Sequence, residues 1–429
     1  MMLNKLANEL FFEISKIPCI NSHSHLFDEQ TRLAQNVDAL VFFQHAYPAA
    51  DLVAAGMPPD VRDKALKPGL PLAERWQLFE PYWKSIRLTG YSQCIIESIR
   101  DLFGFPELTG ETVGPISEAI RQNSKPGFYK KILKDKCNLA ISLMNMDDLV
   151  DVDKTLFVPL PRLNRFSMIH SRGQIAALEK DYNVSIGSLE EHIQVLRKVC
   201  EKWKEAKVAG IKLSQSYHRR MDFLEREAAD AAKVFGAMLT GNYTGLESEE
   251  GRLLEDYLVF ECCRAASDVD LAIQFHLGMR AGNYGGLEGS SPAPIVNLLR
   301  AFPNARFDFS HSGYPYLREG AVLAKTFTNV YLDMSWIHII SPIGCRYALK
   351  EWLQMAPYNK IIGFGDDLQY VETVYGHLKM ARQNVAIVLA EMIQEGLISE
   401  SIALDVAKAV FYDNPAQVYR LSDFLLPKP

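Results

Sequence analysis

The chain reads as an α/β protein, a (β/α)8 TIM barrel with a helical insertion after the first strand and extra C-terminal helices. Three observations carry that reading. Short β-like runs alternate with helix-patterned stretches from Cys137 onward, which argues for parallel pairing. Counting the run that ends in His23-Ser24-His25, there are eight of them, the number that closes such a barrel. Ionisable residues recur where those runs end, the place where barrel active sites form. An open doubly wound sheet competes with this reading, but no Gly-rich phosphate fingerprint follows the first run, as that fold's nucleotide sites require.

Leu3 to Ser15 is patterned as a short amphipathic helix and leads into the first strand, Ile20 to Leu26. Phe27 to about Asp135 shows no clear strand. It reads as helices broken at Met57-Pro58-Pro59 and at Lys67-Pro68-Gly69-Leu70-Pro71. Within it Trp76, Phe79, Tyr82, Trp83, Ile86 and Leu88 recur at helical spacing, so residues 27–135 are expected to form a helical insertion covering one end of the fold, with a lid over the first strand's end as the sharper alternative, within a single domain spanning 1–429. The later strands are expected at 139–143, 156–160, 208–213, 271–276, 306–311, 330–333 and 360–366. Helices are expected between them at 189–206, 252–267, 293–301, 316–326 and 351–355, with C-terminal helices at 372–395 and from an N-cap at Ser399 to Phe411. A barrel needs only about 250 residues, and the insertion, a segment after Lys212 and the C-terminal helices hold the surplus.

The formal net charge of −6 and the lack of any Lys/Arg block give no electrostatic footprint for nucleic acid or an anionic membrane. Seven scattered cysteines without CxxC or CxxH spacing read as reduced, mostly buried thiols of a cytoplasmic protein. The N-terminus lacks a signal-peptide layout, and no apolar run approaches the roughly 20 residues of a membrane span. The expected partner is a small molecule.

Residues i and i+2 of a strand face the same side, so His23 and His25 can present two imidazoles to one point, and imidazole is the commonest protein ligand for zinc-like ions. Lys212, His276, His311, Asp333 and Asp366 follow at the ends of the fourth to eighth runs. Four strand-end histidines with a final carboxylate point to a metal site. Arg162, Arg165 and Arg280 are candidate anion binders, because guanidinium makes bidentate contacts with carboxylates. Arg280, four residues beyond His276, is the best placed. Asp333 is either a partner of a ligand histidine or a strand-end cap. Trp336 and Tyr314 are pocket or packing residues. His45, His170, His192, His218, His338 and His377 have no special context and read as surface or lid residues.

This order of residues resembles the amidohydrolase superfamily of metal-dependent barrel enzymes. The stretches Ala209-Gly210-Ile211-Lys212, Gln274-Phe275-His276-Leu277-Gly278, His311-Ser312-Gly313-Tyr314-Pro315 and Asn329-Val330-Tyr331-Leu332-Asp333 look like its amidohydrolase-related branch, which includes domains fused to glutamine synthetase. The insertion and His276-Leu277-Gly278-Met279-Arg280 are also similar to uronate isomerases. The resemblance implies one divalent ion, zinc before manganese or iron, on His23, His25 and Asp366, with His276 as a further ligand. Asp366 would also act as general base, and His311 would orient or polarise the substrate. Lys212 would either bridge two metals as a carboxylated side chain or, the favoured reading, hold a substrate anion together with Arg280 and Arg162.

The expected activity is hydrolysis, with metal-activated water attacking an amide, ester or lactone carbonyl of a small, polar, anionic substrate. A uronate-type aldose–ketose isomerase is the alternative, against which Asp366-Asp367-Leu368-Gln369 departs from the isomerases' Asp-Ser-Arg-Ser run and the paired tryptophans of their seventh strand are absent. A metal-dependent decarboxylase and a non-catalytic metal-binding scaffold complete the set. A homo-oligomer is expected by analogy alone.

Overall fold

The computed structural model describes residues 2–425 except Thr244, Leu246, Glu247 and Glu288, with side chains from Lys5 onward. Its eight strands are β1 (Cys19–Ser24), β2 (Leu139–Met146), β3 (Phe157–Pro161), β4 (Gly210–Leu213), β5 (Ala272–His276), β6 (Phe307–Ser310), β7 (Val330–Asp333) and β8 (Ile361–Ile362). Each falls within or against a run expected from the sequence. Pairing is parallel throughout, in the orders β1-β2-β3 and β4-β5-β6-β7-β8.

Hydrogen bonds join the two sheets into a ring. Ala209 N donates to Pro159 O at 2.9 Å and Leu163 N to Lys212 O at 3.0 Å, linking β3 to β4. On the other side Ser22 N donates to Phe364 O at 3.0 Å and Asp367 N to His23 O at 3.0 Å, linking the end of β8 to β1. The strands close up tightly at Gly210, where a Cβ would lie 2.5 Å from the Ala272 carbonyl oxygen.

Strand alternation sorts the side chains. Ile211, Leu213, Ile273 and Phe275 join the large core between strands and outer helices. Ile20, Val158, Leu160, Ala272 and Ile362 pack inside the ring, where Val418, Tyr419 and Leu421 of the C-terminal segment meet them. Higher in the ring the inward positions become polar and stay buried: Lys212, Gln274, Asp308 and Asp333. A barrel interior with that composition needs every polar atom paired.

The helices follow the expected pattern with differing ends. Ser399 caps its helix as expected, accepting from Ile402 N. The helix expected at 351–355 begins far earlier and spans Pro342–Met355, because Ser341 accepts from Gly344 N and Pro342 occupies the first turn, where a missing N–H is harmless. Between β1 and β2 lie helices from Glu29 to Lys136 with a separate apolar cluster around Phe42, Phe43, Trp76, Phe79 and Trp83. Leu88 is the exception to the helical stripe, 83% exposed in the turn before Gly90. Several contacts fasten this insertion to the long helix Val371–Gln394, among them Lys379 with Glu97 and Asp101. Arg32 pairs with Glu372 with both side chains buried, and Gly376 lies so close to the Cys94 carbonyl oxygen that a Cβ would approach to 2.1 Å. All seven cysteines are buried and unpaired, and no helix among the described residues is long and apolar enough to cross a membrane.

Candidate metal centre

His23 and His25 stand at the end of β1, and their Nε2 atoms lie 3.1 Å apart. Asp367 Oδ1 completes a triangle, 3.2 Å from His23 Nε2 and 3.3 Å from His25 Nε2. These are the residues that could hold a metal ion among those described. Burial, helped by neighbouring Lys212, lowers the pKa of His23 to about 3, so its ring is neutral near pH 7 and the approach to Asp367 is no ion pair. Burial pushes the Asp367 carboxyl upward, but the contacts from His23 and His25 outweigh this and hold it well below the usual carboxylate range.

The site therefore gathers an anion and two imidazole nitrogens within van der Waals contact. A tetrahedral ion with bonds of about 2.0–2.1 Å has ligand atoms about 3.3 Å apart, the spacing seen here. Two nitrogens and a carboxylate oxygen suit a divalent ion of the zinc, manganese or iron type, with coordination positions left for water or substrate.

The carboxylate is Asp367 and not the expected Asp366. Strand alternation would send the two to opposite sides, and Asp367 has a left-handed backbone, φ +49°, which returns its side chain to the pocket. Asp366 is turned into the protein. Its Oδ2 accepts from Asn21 Nδ2 at 2.5 Å and Ser24 Oγ at 3.0 Å, and its Oδ1 from Leu368 N at 2.8 Å. Burial raises its pKa to about 7. It bonds to β1 beneath the histidines and is not among the residues lining the pocket.

His276 also departs from expectation. It lines the pocket, but its Nε2 lies 3.3 Å from Met279 O and its ring packs against Tyr217. The turn at Gly278, φ +82°, brings the Met279 carbonyl back over it. It stands outside the three-ligand group. His311 sits behind the pocket between His23, His276 and Trp336. Its Nδ1 lies 3.4 Å from Ser335 O, and its Nε2 is buried without a protein partner.

The pocket encloses about 220 Å³ and is lined by the triad together with Lys212, Arg162, His45, Tyr47, Tyr217, Asn145, Ser214 and Gln369. Burial lowers the Lys212 pKa to about 7, and its Nζ donates to Gln274 Oε1 at 3.0 Å. Arg162 donates to Asn145 Oδ1 at 2.7 Å and Asp147 Oδ1 at 2.8 Å. Arg165 is not at the site, being paired with Asp148 and Asp181. Arg280 is absent from the lining too, because its Nε donates to Ser216 O at 2.9 Å. Asp333 acts on β1: its Oδ2 accepts from Ser22 Oγ at 2.6 Å and its Oδ1 from Ser335 N at 2.7 Å. Trp336 is fully buried and Tyr314 half-buried.

Of the histidines set aside, His45 reaches the pocket from the insertion, stacked on Tyr91, with its Nδ1 buried and unpartnered. His192, His338 and His377 are core residues facing carbonyl groups, not surface ones. Nothing local marks His45 in the sequence. It becomes a site residue only because the insertion folds back over β1.

The amidohydrolase family model (Amidohydro_2) matches residues 176–421. Protein fluG of Emericella nidulans is 24% identical over half of this chain, which spans only about a quarter of that protein (26%). The uronate isomerase of Phenylobacterium zucineum is 23% identical over 97% of this chain and 94% of its own length. Among solved structures, glucuronate isomerase from Caulobacter crescentus superposes with a TM-score of 0.82 at 18% identity, covering 100% of this chain and 97% of that one. The family match takes in more than half of the residues, including β4 to β8 and Asp367, and the chain belongs to the amidohydrolase family.

Proposed function

We propose that this chain is an aldose–ketose isomerase acting on a sugar acid, using one divalent ion, zinc in the first instance, on His23, His25 and Asp367. The observation that carries this is the extent of the similarity to uronate isomerases. It runs over 97% of the chain and so includes the segment that brings His45 and Tyr47 into the pocket. Hydrolysis, the reading favoured by the sequence, has support only from the broader family.

Such an isomerisation consumes nothing. The C1 aldehyde becomes an alcohol as the C2 alcohol becomes a ketone, one proton passing from C2 to C1 and another from O2 to O1. The bound ion would supply Lewis-acid polarisation of the substrate's oxygens. Asp367, held ionised, is the residue to take the proton at C2 and return it at C1. Arg162, joined by Lys212 when that side chain is protonated, gives the pocket wall positive charge that suits the substrate carboxylate. Leu368 and Gln369 follow Asp367, so no arginine stands there as in the isomerases' Asp-Ser-Arg-Ser run, and that anchoring would fall to Arg162 and Lys212. His45 Nδ1, buried and unpartnered, is placed to bond a sugar hydroxyl. The presence of one three-ligand group among the described residues, with Lys212 bonded to Gln274, favours a single ion over a carboxylated, bridging lysine.

The test is ¹H NMR of metal-loaded protein with glucuronate and galacturonate in D2O, beside a panel of lactones, esters and amides. Formation of the ketose supports the proposal. Cleavage of the panel without isomerisation would replace it with the hydrolase reading, and loss of CO2 with a decarboxylase. A metal-loaded protein inert to all of them would be a scaffold.

A further inference from the structure

We propose that Gln274 is a positioning residue that sets the tautomer of His23, and that Tyr419 of the C-terminal segment holds it in that role from the opposite end of the barrel. The inference rests on the metal reading above. It follows from donor and acceptor accounting around one fully buried amide.

Gln274 Nε2 faces Ser22 O at 3.2 Å, Asp308 Oδ2 at 2.7 Å and Tyr419 Oη at 2.8 Å. A backbone carbonyl only accepts, so the NH2 end of the amide must point that way. The Oε1 end then faces Lys212 Nζ at 3.0 Å and His23 Nδ1 at 2.7 Å. An amide oxygen only accepts, so Nδ1 of His23 carries the hydrogen. A ligating imidazole has one N–H, and the hydrogen bond made by one nitrogen decides which nitrogen is free for the metal. The lone pair is therefore on Nε2, the atom that meets His25 and Asp367. Turning the amide over would set its oxygen against the Ser22 carbonyl and its NH2 against the lysine, so the arrangement has one low-energy sense.

Tyr419 completes the arrangement. It follows the helix Asn414–Val418 and is 3% exposed. Its hydroxyl donates to Asp308 Oδ2 and accepts from Gln274 Nε2. Two hydrogen bonds, Tyr419 to Gln274 and Gln274 to His23, connect the packed C-terminal segment to the first ligand.

The experiment uses the full-length chain, with Gln274→Met and Tyr419→Phe. Zinc affinity is measured by competition with a chromophoric chelator, and the His23 tautomer by ¹H–¹⁵N NMR of metal-free protein, assigned by signal loss in His23→Gln. The expected result is an Nδ1–H tautomer in wild type. Zinc affinity should fall about 10- to 100-fold in Gln274→Met, the usual effect of removing a ligand's outer partner, and fall by less in Tyr419→Phe. If Gln274→Met fails to fold, Tyr419→Phe, which removes one oxygen, carries the test. An Nε2–H tautomer in wild type, or folded variants with unchanged zinc affinity and tautomer, would overturn the inference and leave the metal site standing. A wild-type chain that binds no divalent ion would instead overturn the metal reading beneath it.

Discussion

Two adjacent aspartates provide the sharpest trial of this site, because Asn substitution should do opposite things at each. Asp367→Asn keeps shape and removes the anion that sits 3.2 and 3.3 Å from two imidazole nitrogens. It takes away a ligand charge and the proton acceptor together. Loss of a positioned acid–base group alone costs about 10²- to 10⁴-fold in rate, so turnover should fall at least that far, with weakened metal retention and a native fold. Asp366→Asn works on stability. Its two oxygens accept from Leu368 N on one side and from Asn21 Nδ2 and Ser24 Oγ on the other. Whichever way the new amide turns, its NH2 confronts a donor. Asn21 cannot turn to compensate, because its Oδ1 already accepts from Asp366 N at 2.9 Å.

One buried donor left unpaired costs about 1–3 kcal/mol, which is the expected loss in the unfolding free energy of Asp366→Asn. Its turnover should drop by no more than the about 10-fold of a mild outer-partner effect. Urea unfolding, metal content by elemental analysis and kcat/KM on a turned-over sugar acid read the three quantities. An Asp366→Asn variant of normal stability that has lost metal and turnover, beside an active Asp367→Asn, would refute the assignment.

Other consequences are as open to measurement. Arg162→Met should raise KM for an anionic substrate about 10- to 100-fold with a smaller change in kcat, as expected for a charged hydrogen bond of about 1.5–3 kcal/mol; an unchanged KM would remove Arg162 from substrate binding. Chelation of a protein held at 100 times its metal dissociation constant should lower the unfolding free energy by about 2.7 kcal/mol, read as a shift in the urea midpoint that added zinc reverses. Burial lowers the pKa of His192 and of His338 to about 4, against about 6.5 unfolded. Their contribution to stability is complete above pH 6.5 and lost as pH falls toward 4, about 2 kcal/mol each by pH 5. His192→Gln should shrink the pH 7-to-5 loss by about that amount. Gly376→Ala should destabilise by about 1–3 kcal/mol, as overpacking does, because its Cβ would meet the Cys94 carbonyl oxygen at 2.1 Å.

The fold was readable because barrel strands announce themselves locally. Ala272-Ile273-Gln274-Phe275-His276 is a buried run whose odd members pack outward and whose even members pack inward, and that pattern is written in the residues. The structure brings His23 and His25 together for the same reason, since positions i and i+2 of a strand share a side. What failed depends on geometry that alternation does not encode. Asp366 and Asp367 differ by one position, and a single left-handed residue decides which of them lines the pocket. His276 has the strand-end placement of a ligand, but a glycine turn two residues later brings a carbonyl to its Nε2. His45 lies far from every strand in sequence, and Gln274 is an uncharged residue in mid-strand whose importance lies in what surrounds it.

Asp367 is one of several left-handed residues at the strand ends. His311, Ser312, Trp336 and Asp367 all have positive φ and stand just beyond β6, β7 and β8. Left-handed non-glycine residues cost about 1–3 kcal/mol each and persist only where surrounding bonds over-determine them. Here those bonds are on view: His311 N donates to Ser335 Oγ at 3.1 Å, Trp336 N to Gly365 O at 2.9 Å, and Asp367 N to His23 O at 3.0 Å. The last of these makes the carboxylate's position depend on the backbone of the histidine it must meet. Two imidazole nitrogens and a carboxylate oxygen are thereby held 3.1–3.3 Å apart by strained backbone and buried hydrogen bonds. A divalent cation placed among the three would meet two nitrogens and a carboxylate oxygen at the spacing of a tetrahedral ion's ligands.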